Sequence, residues 1–143
     1  MSQAKKILVA LDLSSEAQQV LDKAVELAGA RHASLSLIHV IEPVITDSNF
    51  VLPDVYIDLE ATLIERANAF LKEKASNVNS IDTDYCVELG SVKSSIFQKV
   101  EDEGYELIVM GTHGRHGLGR LLGSTASAVL HGTPCDVYMV RIH

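Results

Sequence analysis

The chain has 143 residues, of which 47% are hydrophobic and 22% charged, and it carries a formal net charge of −7. This length and composition predict one globular domain, residues 1–143, whose core is large enough to need no structural metal or disulfide. The negative charge argues against a nucleic-acid partner, because no excess of cations is available to displace the counterions of a phosphate backbone. It does not exclude a bound nucleotide.

Two hydrophobic patterns alternate along the chain. Continuous apolar runs such as Ile7–Leu11 are typical of strands buried on both faces of a parallel sheet, whereas apolar residues three or four positions apart are typical of helices. Gly29 and Gly104 are placed to end two of the helices. The predicted elements are a strand at Ile7–Leu11, a helix at Ala17–Ala28, a strand at Leu35–Ile41, a loop at Val44–Asp54, a helix at Leu59–Leu71, a strand at Asp82–Leu89, a helix at Val92–Val100, a strand at Leu107–Met110, a glycine-rich segment at Gly111–Gly123, a helix at Ser124–His131 and a strand at Val137–Ile142.

Strands that alternate with helices indicate an α/β fold, a doubly wound five-stranded parallel sheet with helices on both faces. Right-handed crossovers favour the strand order 3-2-1-4-5. The third strand is expected at an edge, because polar and apolar residues partly alternate along it. Ligands of such sheets bind at the carboxyl ends of the strands, where the strand order reverses. This rule directs attention to Asp12–Ser15 and Gly111–Ser124.

The glycine-rich segment combines several features of a phosphate site. It follows a buried strand, it carries Arg115, Arg120 and two histidines in an otherwise acidic chain, and it ends at Gly123-Ser124, where a helix is predicted to begin. A flexible loop whose glycines only permit a tight turn is the alternative. The glycine spacing matches neither a Walker loop nor a dinucleotide fingerprint.

A resemblance makes the interpretation more specific. Gly111-Thr112-His113-Gly114, followed by Gly123-Ser124-Thr125, resembles the nucleotide-binding signature of the universal stress protein superfamily (UspA type). The resemblance covers the whole chain, and from it the chain is identified as a member of that superfamily. The matching strand segments are Lys6–Asp12 with Ser14, Leu37–Val40, Glu106–Gly111 and Pro134–Val140.

The resemblance implies an adenine nucleotide, ATP or AMP, with or without Mg²⁺. By position, Asp12 and Val40 would lie at the base, Gly111 and Gly114 near the ribose and phosphate, and Gly123 with Ser124 near the distal phosphates. The predicted binding residues are Ala10, Asp12, Val40, Met110, Gly111, His113, Gly114, Arg115, Gly123, Ser124 and Thr125.

The loop departs from the pattern of the family in one respect. The eight residues Arg115–Leu122 separate Gly114 from Gly123, one residue fewer than in the members that bind ATP. A shorter loop would tighten or misplace a triphosphate pocket, whereas a monophosphate, which needs fewer phosphate contacts, tolerates the change better. The family also has a branch that lacks the signature and does not hold ATP.

Several polar residues have a functional and a structural interpretation. Asp12 would contact the base or hold Mg²⁺ through water, or would cap a helix beside Ser14. His39, in a buried strand, is interpreted as a core histidine rather than a ligand. His113 and His116 would contact phosphate or lie as solvent-facing residues of the loop. Ser124 and Thr125 are either phosphorylation sites or helix-capping residues. Cys86 and Cys135 are interpreted as reduced thiols rather than a disulfide.

The expected function is a stress-response binding module that works through unknown protein partners, with no membrane or nucleic-acid partner. An enzyme, such as a weak ATPase or autophosphorylating protein, has little support, because no general base or metal-binding carboxylate pair is evident beyond Asp12. The resemblance implies a homodimer through Val137–Ile142, unless Arg141 and His143 blunt that edge. The short apolar run after Met1–Lys6 predicts no signal or membrane helix, and hence a cytoplasmic location.

Overall fold

The structure is a computed structural model that describes residues 4–43, 53–113 and 122–143. Strands and helices alternate strictly through these ranges. They are β1 (Lys6–Ala10), α1 (Ala17–Arg31), β2 (Ser34–Ile41), α2 (Pro53–Ser76), β3 (Thr83–Leu89), α3 (Val92–Glu103), β4 (Leu107–Gly111), α4 (Ser124–Leu130) and β5 (Asp136–Val140).

The strands form one parallel sheet in the order β3-β2-β1-β4-β5, which confirms the predicted fold class and order. β1 lies at the centre, with Val9 opposite Leu37 of β2 on one side and Val109 of β4 on the other. The predicted edge position of β3 is confirmed, and Tyr85 and Leu89 on this strand are exposed. The strand order reverses between β1 and β4, so the carboxyl ends of these two strands diverge there.

Helices cover both faces of the sheet and bury separate apolar clusters. On one face α1 contributes Val20, Leu21 and Ala24, and α2 contributes Leu71. On the other face α3 contributes Ile96 and Val100, and α4 contributes Ala126 and Val129. Because strands buried on both faces have no polar side to expose, β1 and β4 are the continuous apolar runs of the sequence.

The end of α1 differs from the prediction. The helix does not stop at Gly29 but continues to Arg31, and His32 follows in the left-handed conformation, with φ 56° and its N–H donating to Ala28 O. Ala28 and Ala33 are buried, whereas Gly29 is exposed. The left-handed residue His32, and not Gly29, therefore ends the helix. At the end of α3 the prediction is confirmed, because Gly104 caps the helix with φ 74°.

Two other boundaries also differ. The predicted loop Val44–Asp54 is wrong at its end, because α2 already begins at Pro53; proline suits the first position of a helix, where no intrahelical partner awaits an N–H. Residues 44–52 of that loop lie outside the described residues. The last strand runs from Asp136 to Val140 and so ends before Ile142, since its partner β4 ends at Gly111, opposite Val140.

Cys86 and Cys135 are free thiols, as predicted, and both are half-buried. Burial raises the pKa of each thiol, so their thiolate fraction at neutral pH is small. Across the described parts of the chain, no helix has the length and apolar character needed to cross a membrane.

Two glycines test the helix boundaries. Gly29 lies inside α1 with nothing within 4 Å of an added Cβ, so we expect Gly29→Ala to raise the free energy of unfolding by about 0.5–1 kcal/mol. Gly104→Ala places a side chain at φ 74°, and we expect it to lower that free energy by about 1 kcal/mol. Urea unfolding followed by circular dichroism measures both. A loss of stability in Gly29→Ala would instead mean that α1 ends at residue 29.

Candidate functional site

A cavity of about 360 Å³ opens where the carboxyl ends of β1 and β4 diverge. This volume lies within the range of roughly 300–1,000 Å³ that is common for small-molecule sites. The walls come from β1, β2 and β4, the loops that follow β1 and β4, the helices α1, α3 and α4, and the C-terminal segment. The lining residues are Ala10, Leu11, Asp12, Glu16, Val20, Ile38, His39, Val40, Val92, Ile96, Met110, Gly111, His113, Gly123, Ser124, Thr125, Ala126 and Ile142.

The structure brings together every predicted binding residue that it describes. Ala10, Asp12, Val40, Met110, Gly111, His113, Gly123, Ser124 and Thr125 all line this one cavity. Gly114, Arg115 and His116 lie outside the described residues. So does most of the segment Arg115–Leu122, whose length departs from the pattern of the family.

The backbone of Val40 faces the cavity because β2 extends beyond β1. The two strands pair as far as Ala10 opposite Ile38, whose carbonyl accepts from the N–H of Leu11 (2.9 Å), but β2 continues to Ile41. In a parallel ladder the N–H and C=O of one residue face the same neighbouring strand, and consecutive residues face opposite neighbours. The carbonyl of Ile41 faces β3, where it accepts from the N–H of Gly90 (3.0 Å). The N–H and C=O of Val40 therefore point to the side of β1, where β1 has already ended.

Contacts to β2 hold the loop after β1 in place. The carbonyl of Leu11 accepts a hydrogen bond from His39 Nδ1 (2.7 Å), so both backbone polar groups of Leu11 are bound to β2. Asp12 follows directly, and its Oδ1 accepts from the N–H (3.2 Å) and the hydroxyl of Ser14. Asp12 thus forms a turn with Ser14 rather than a bond to α1, which begins at Ala17. The carboxylate of Asp12 is thereby fixed at the cavity, which Val40 also lines.

His39 combines the two roles that the sequence interpretation had separated. It is half-buried and hydrogen-bonded, as expected of a core histidine, but it also lines the cavity. Because a carbonyl only accepts, the proton of the neutral ring lies on Nδ1, and Nε2 is left as an acceptor. The sequence alone gave no signal for this bond, since its partner lies 28 residues away.

The turn after β4 is held by Thr112, a residue that the sequence analysis did not select. Its N–H donates to Val140 O (2.9 Å), its carbonyl accepts from the N–H of Gly123 (2.8 Å), and its hydroxyl oxygen accepts from the N–H of Ile142 (3.2 Å).

A Cβ added to Gly111 would lie 3.1 Å from two side-chain carbons of Ile142, which explains why glycine ends β4. Ile142 was likewise missed as a site residue, because it reaches the cavity only through the pairing of β5 with β4.

The cavity has apolar walls and polar ends. Ile38, Val40, Ile96 and Met110 belong to the buried cluster beneath α3 and α4, and they offer a surface suited to a flat hydrophobic ring. One end carries Asp12 and the backbone of Val40, and the other carries His113 and the hydroxyls of Ser124 and Thr125. Within residues 4–43, 53–113 and 122–143, no group of three or more His, Cys, Asp or Glu side chains could hold a metal ion.

Comparison with known proteins places the chain among well-defined relatives. The model of the universal stress protein family matches residues 3–141. Universal stress protein A homolog 2 of Coxiella burnetii is 41% identical over 143 residues, which is 99% of this chain and 98% of the relative. Universal stress protein UspA from Lactobacillus plantarum superposes with a TM-score of 0.86 at 25% identity, over 99% of this chain and 100% of that one.

Three more distant structures share the fold and carry nucleotides. A universal stress protein in complex with cAMP has a TM-score of 0.65 at 22% identity, over 98% of both chains. The Archaeoglobus fulgidus protein in complex with dAMP has a TM-score of 0.60 at 20% identity, over 98% of this chain and 99% of its own. An Arabidopsis thaliana family protein with AMP bound has a TM-score of 0.63 at 16% identity, over 97% of this chain and 92% of its own.

The His39–Leu11 bond gives a test of how the site is held. We expect His39→Phe to lower the free energy of unfolding by about 1–2 kcal/mol, because the carbonyl of Leu11 loses its partner. His39→Asn is the matched control, since its amide nitrogen reaches the place of Nδ1 and restores the donor. Urea unfolding of both variants measures the difference. Equal losses in the two variants would mean that the hydrogen bond does not hold the loop.

Proposed function

The chain belongs to the universal stress protein family, and from this premise we propose that it binds an adenine nucleotide, ATP or AMP, in the cavity between β1 and β4. In this proposal the protein acts as a homodimeric sensor or regulator and not as an enzyme. The main support is that the predicted binding residues within the described ranges, from Ala10 to Thr125, converge on one cavity. The nucleotides carried by three structural neighbours agree with this choice of ligand.

The base end of the cavity favours adenine over guanine. Adenine presents an amino group beside a ring nitrogen acceptor, and the backbone of Val40 offers a carbonyl and an N–H that match this edge. The carboxylate of Asp12 adds a second acceptor for the amino group. Guanine would place its carbonyl oxygen against these acceptors and leave them unpaired, which is costly in a buried site.

The other end of the cavity suits ribose hydroxyls and phosphate oxygens. His113, Ser124 and Thr125 supply polar side chains there, and Gly111 and Gly123 leave the backbone accessible. The shortened segment Arg115–Leu122 favours AMP over ATP, because one phosphate needs fewer contacts. Mg²⁺ prefers a few carboxylates together with phosphate oxygens, so in this proposal any Mg²⁺ enters with the nucleotide, and the carboxylates that line the cavity in the described residues are those of Asp12 and Glu16.

The same proposal includes a homodimer through β5. This strand lies at an edge of the sheet, and the side chain of Tyr138 is 38% exposed. An unpaired edge strand with an exposed aromatic residue is a template for pairing with a second chain. The protein partners of such a dimer and its cytoplasmic location stay predictions.

Filling the cavity tests the nucleotide proposal. We expect the purified protein to bind AMP and ATP with micromolar affinity, and GMP much more weakly, in native mass spectrometry and calorimetric titration. Ala10→Leu places a larger side chain in the cavity and should abolish binding without loss of fold. Ala30→Leu makes the same change on an exposed position at the far end of α1 and should bind as the wild type does.

The opposite result would be equally informative. Absence of binding at millimolar AMP, ADP and ATP would refute the proposal and place the protein in the branch of the family that does not hold nucleotide. Equal binding by the wild type and Ala10→Leu would mean that the ligand lies elsewhere.

The two edge strands allow a controlled test of the dimer. We expect Tyr138→Lys on β5 to weaken the dimer at least tenfold, because it places a charge where the two chains meet. Tyr85→Lys on β3 is the matched control, since Tyr85 is 37% exposed on the opposite edge. Sedimentation equilibrium measures both. A dimer weakened only by Tyr85→Lys would place the interface on β3.

A further inference from the structure

Thr112 lies at the junction of three segments that are far apart in the sequence. Its backbone binds Val140 at the end of β5 and Gly123 at the start of α4. Its hydroxyl oxygen accepts from the N–H of Ile142 at 3.2 Å and lies 3.0 Å from Nδ1 of His113. The side chain of Thr112 therefore connects the C-terminal backbone to an imidazole that lines the cavity.

The hydrogen bonds of Thr112 favour one of the two neutral forms of the His113 ring. The N–H of Ile142 is a donor, so the hydroxyl oxygen must accept from it, and the hydroxyl hydrogen remains available. Within the described residues the acceptor within reach of that hydrogen is His113 Nδ1. When the hydroxyl donates to it, Nδ1 bears no hydrogen in the neutral ring, and the proton lies on Nε2. In the opposite arrangement the hydroxyl oxygen accepts from both Ile142 N–H and Nδ1–H, and the hydroxyl hydrogen is left without an acceptor among the described residues. The first arrangement gives the N–H of Ile142 and the hydroxyl of Thr112 each an acceptor.

The Nε2 atom of His113 is buried and has no hydrogen-bond partner among the described residues. A buried donor without a partner is costly, and in a site the missing partner is commonly the ligand. The ligand atom that fits is an acceptor oxygen. In an adenine nucleotide the ribose hydroxyls and the phosphate provide such oxygens, whereas the adenine ring carries no oxygen.

We propose that Thr112 is a positioning residue that holds His113 as an Nε2–H donor for a ribose or phosphate oxygen of the nucleotide. The proposal rests on the function proposed above and adds a dependence of the site on the C-terminal segment. Because the bond from Ile142 orients the hydroxyl of Thr112, the donor is set only when the segment after β5 is in place. By reciprocity, a bound nucleotide stabilises this segment and the end of the β5 edge.

The tautomer is tested first, without any ligand. Long-range ¹⁵N–¹H spectra of the imidazole rings, recorded well above the ordinary pKa range of histidine, distinguish the two neutral forms. We expect His113 to carry its proton on Nε2, whereas His39, which donates from Nδ1 to Leu11 O, shows the opposite form in the same spectrum. His113→Gln assigns the signal. A proton on Nδ1 of His113 in the wild type would overturn the proposal.

Variants of Thr112 then connect the tautomer to binding. Thr112→Val keeps the shape and the backbone bonds but removes the hydroxyl, and we expect mixed tautomers and about tenfold weaker AMP binding. Thr112→Ser should restore the wild-type tautomer and most of the affinity. Thr83→Val on β3 makes the same substitution away from the cavity, where the hydroxyl binds Ile81 O, and should bind AMP as the wild type does.

Hydrogen exchange tests the dependence on the C-terminal segment. We expect AMP to slow exchange of the Ile142 amide in the wild type but not in Thr112→Val. The proposal would be refuted if Thr112→Val bound AMP with wild-type affinity, or if AMP left the exchange rate of the Ile142 amide in the wild type unchanged. Either result would leave nucleotide binding itself intact. If the wild type binds no nucleotide, the proposed function fails, and the imidazole spectrum still decides whether Thr112 sets the tautomer.

Discussion

The site depends on a difference in length between two neighbouring strands. β1 stops at Ala10, opposite Ile38, while β2 continues to Ile41. The backbone of Val40 is thereby left beyond the end of its neighbour, with its N–H and C=O directed at open space. Apolar side chains from the sheet form the walls of that space, because the strands are buried on both faces. A cavity with a hydrophobic body and a hydrogen-bonding edge follows from the geometry of the sheet itself.

The loops on either side of this space are each tied to the framework by specific polar bonds. His39 and Ile38 bind the backbone of Leu11 and so hold the next residue, Asp12, at the cavity. Across the cavity, Thr112 binds the C-terminal segment and the start of α4. The two ends of the cavity are therefore held to different strands. The His113 end is thereby connected to the β5 edge, whereas the Asp12 end is connected to β2.

Much of the fold could be predicted because the requirements of a parallel sheet appear as local patterns in the sequence. Buried strands must be apolar throughout, and parallel strands must be joined by helices, so the order 3-2-1-4-5 followed from alternation and handedness. The errors fell where tertiary contacts override local preference. Gly29 is a common helix terminator, but α1 continues to Arg31 because the following residues must reach β2 with Ala33 buried. Pro53 resembles a loop residue and instead begins α2.

The sequence by itself determined the alternation of strands and helices, the place where the strand order reverses, and the residue types that lie there. Each of these depends on patterns within one element or its immediate neighbours. Only the tertiary structure decided that His39 binds Leu11 and that Thr112 binds Ile142 and contacts His113. The His39–Leu11 and Thr112–Ile142 bonds join residues 28 and 30 positions apart, and they exist only because strand register brings those atoms within hydrogen-bond distance. A pattern in the sequence carries no record of that register.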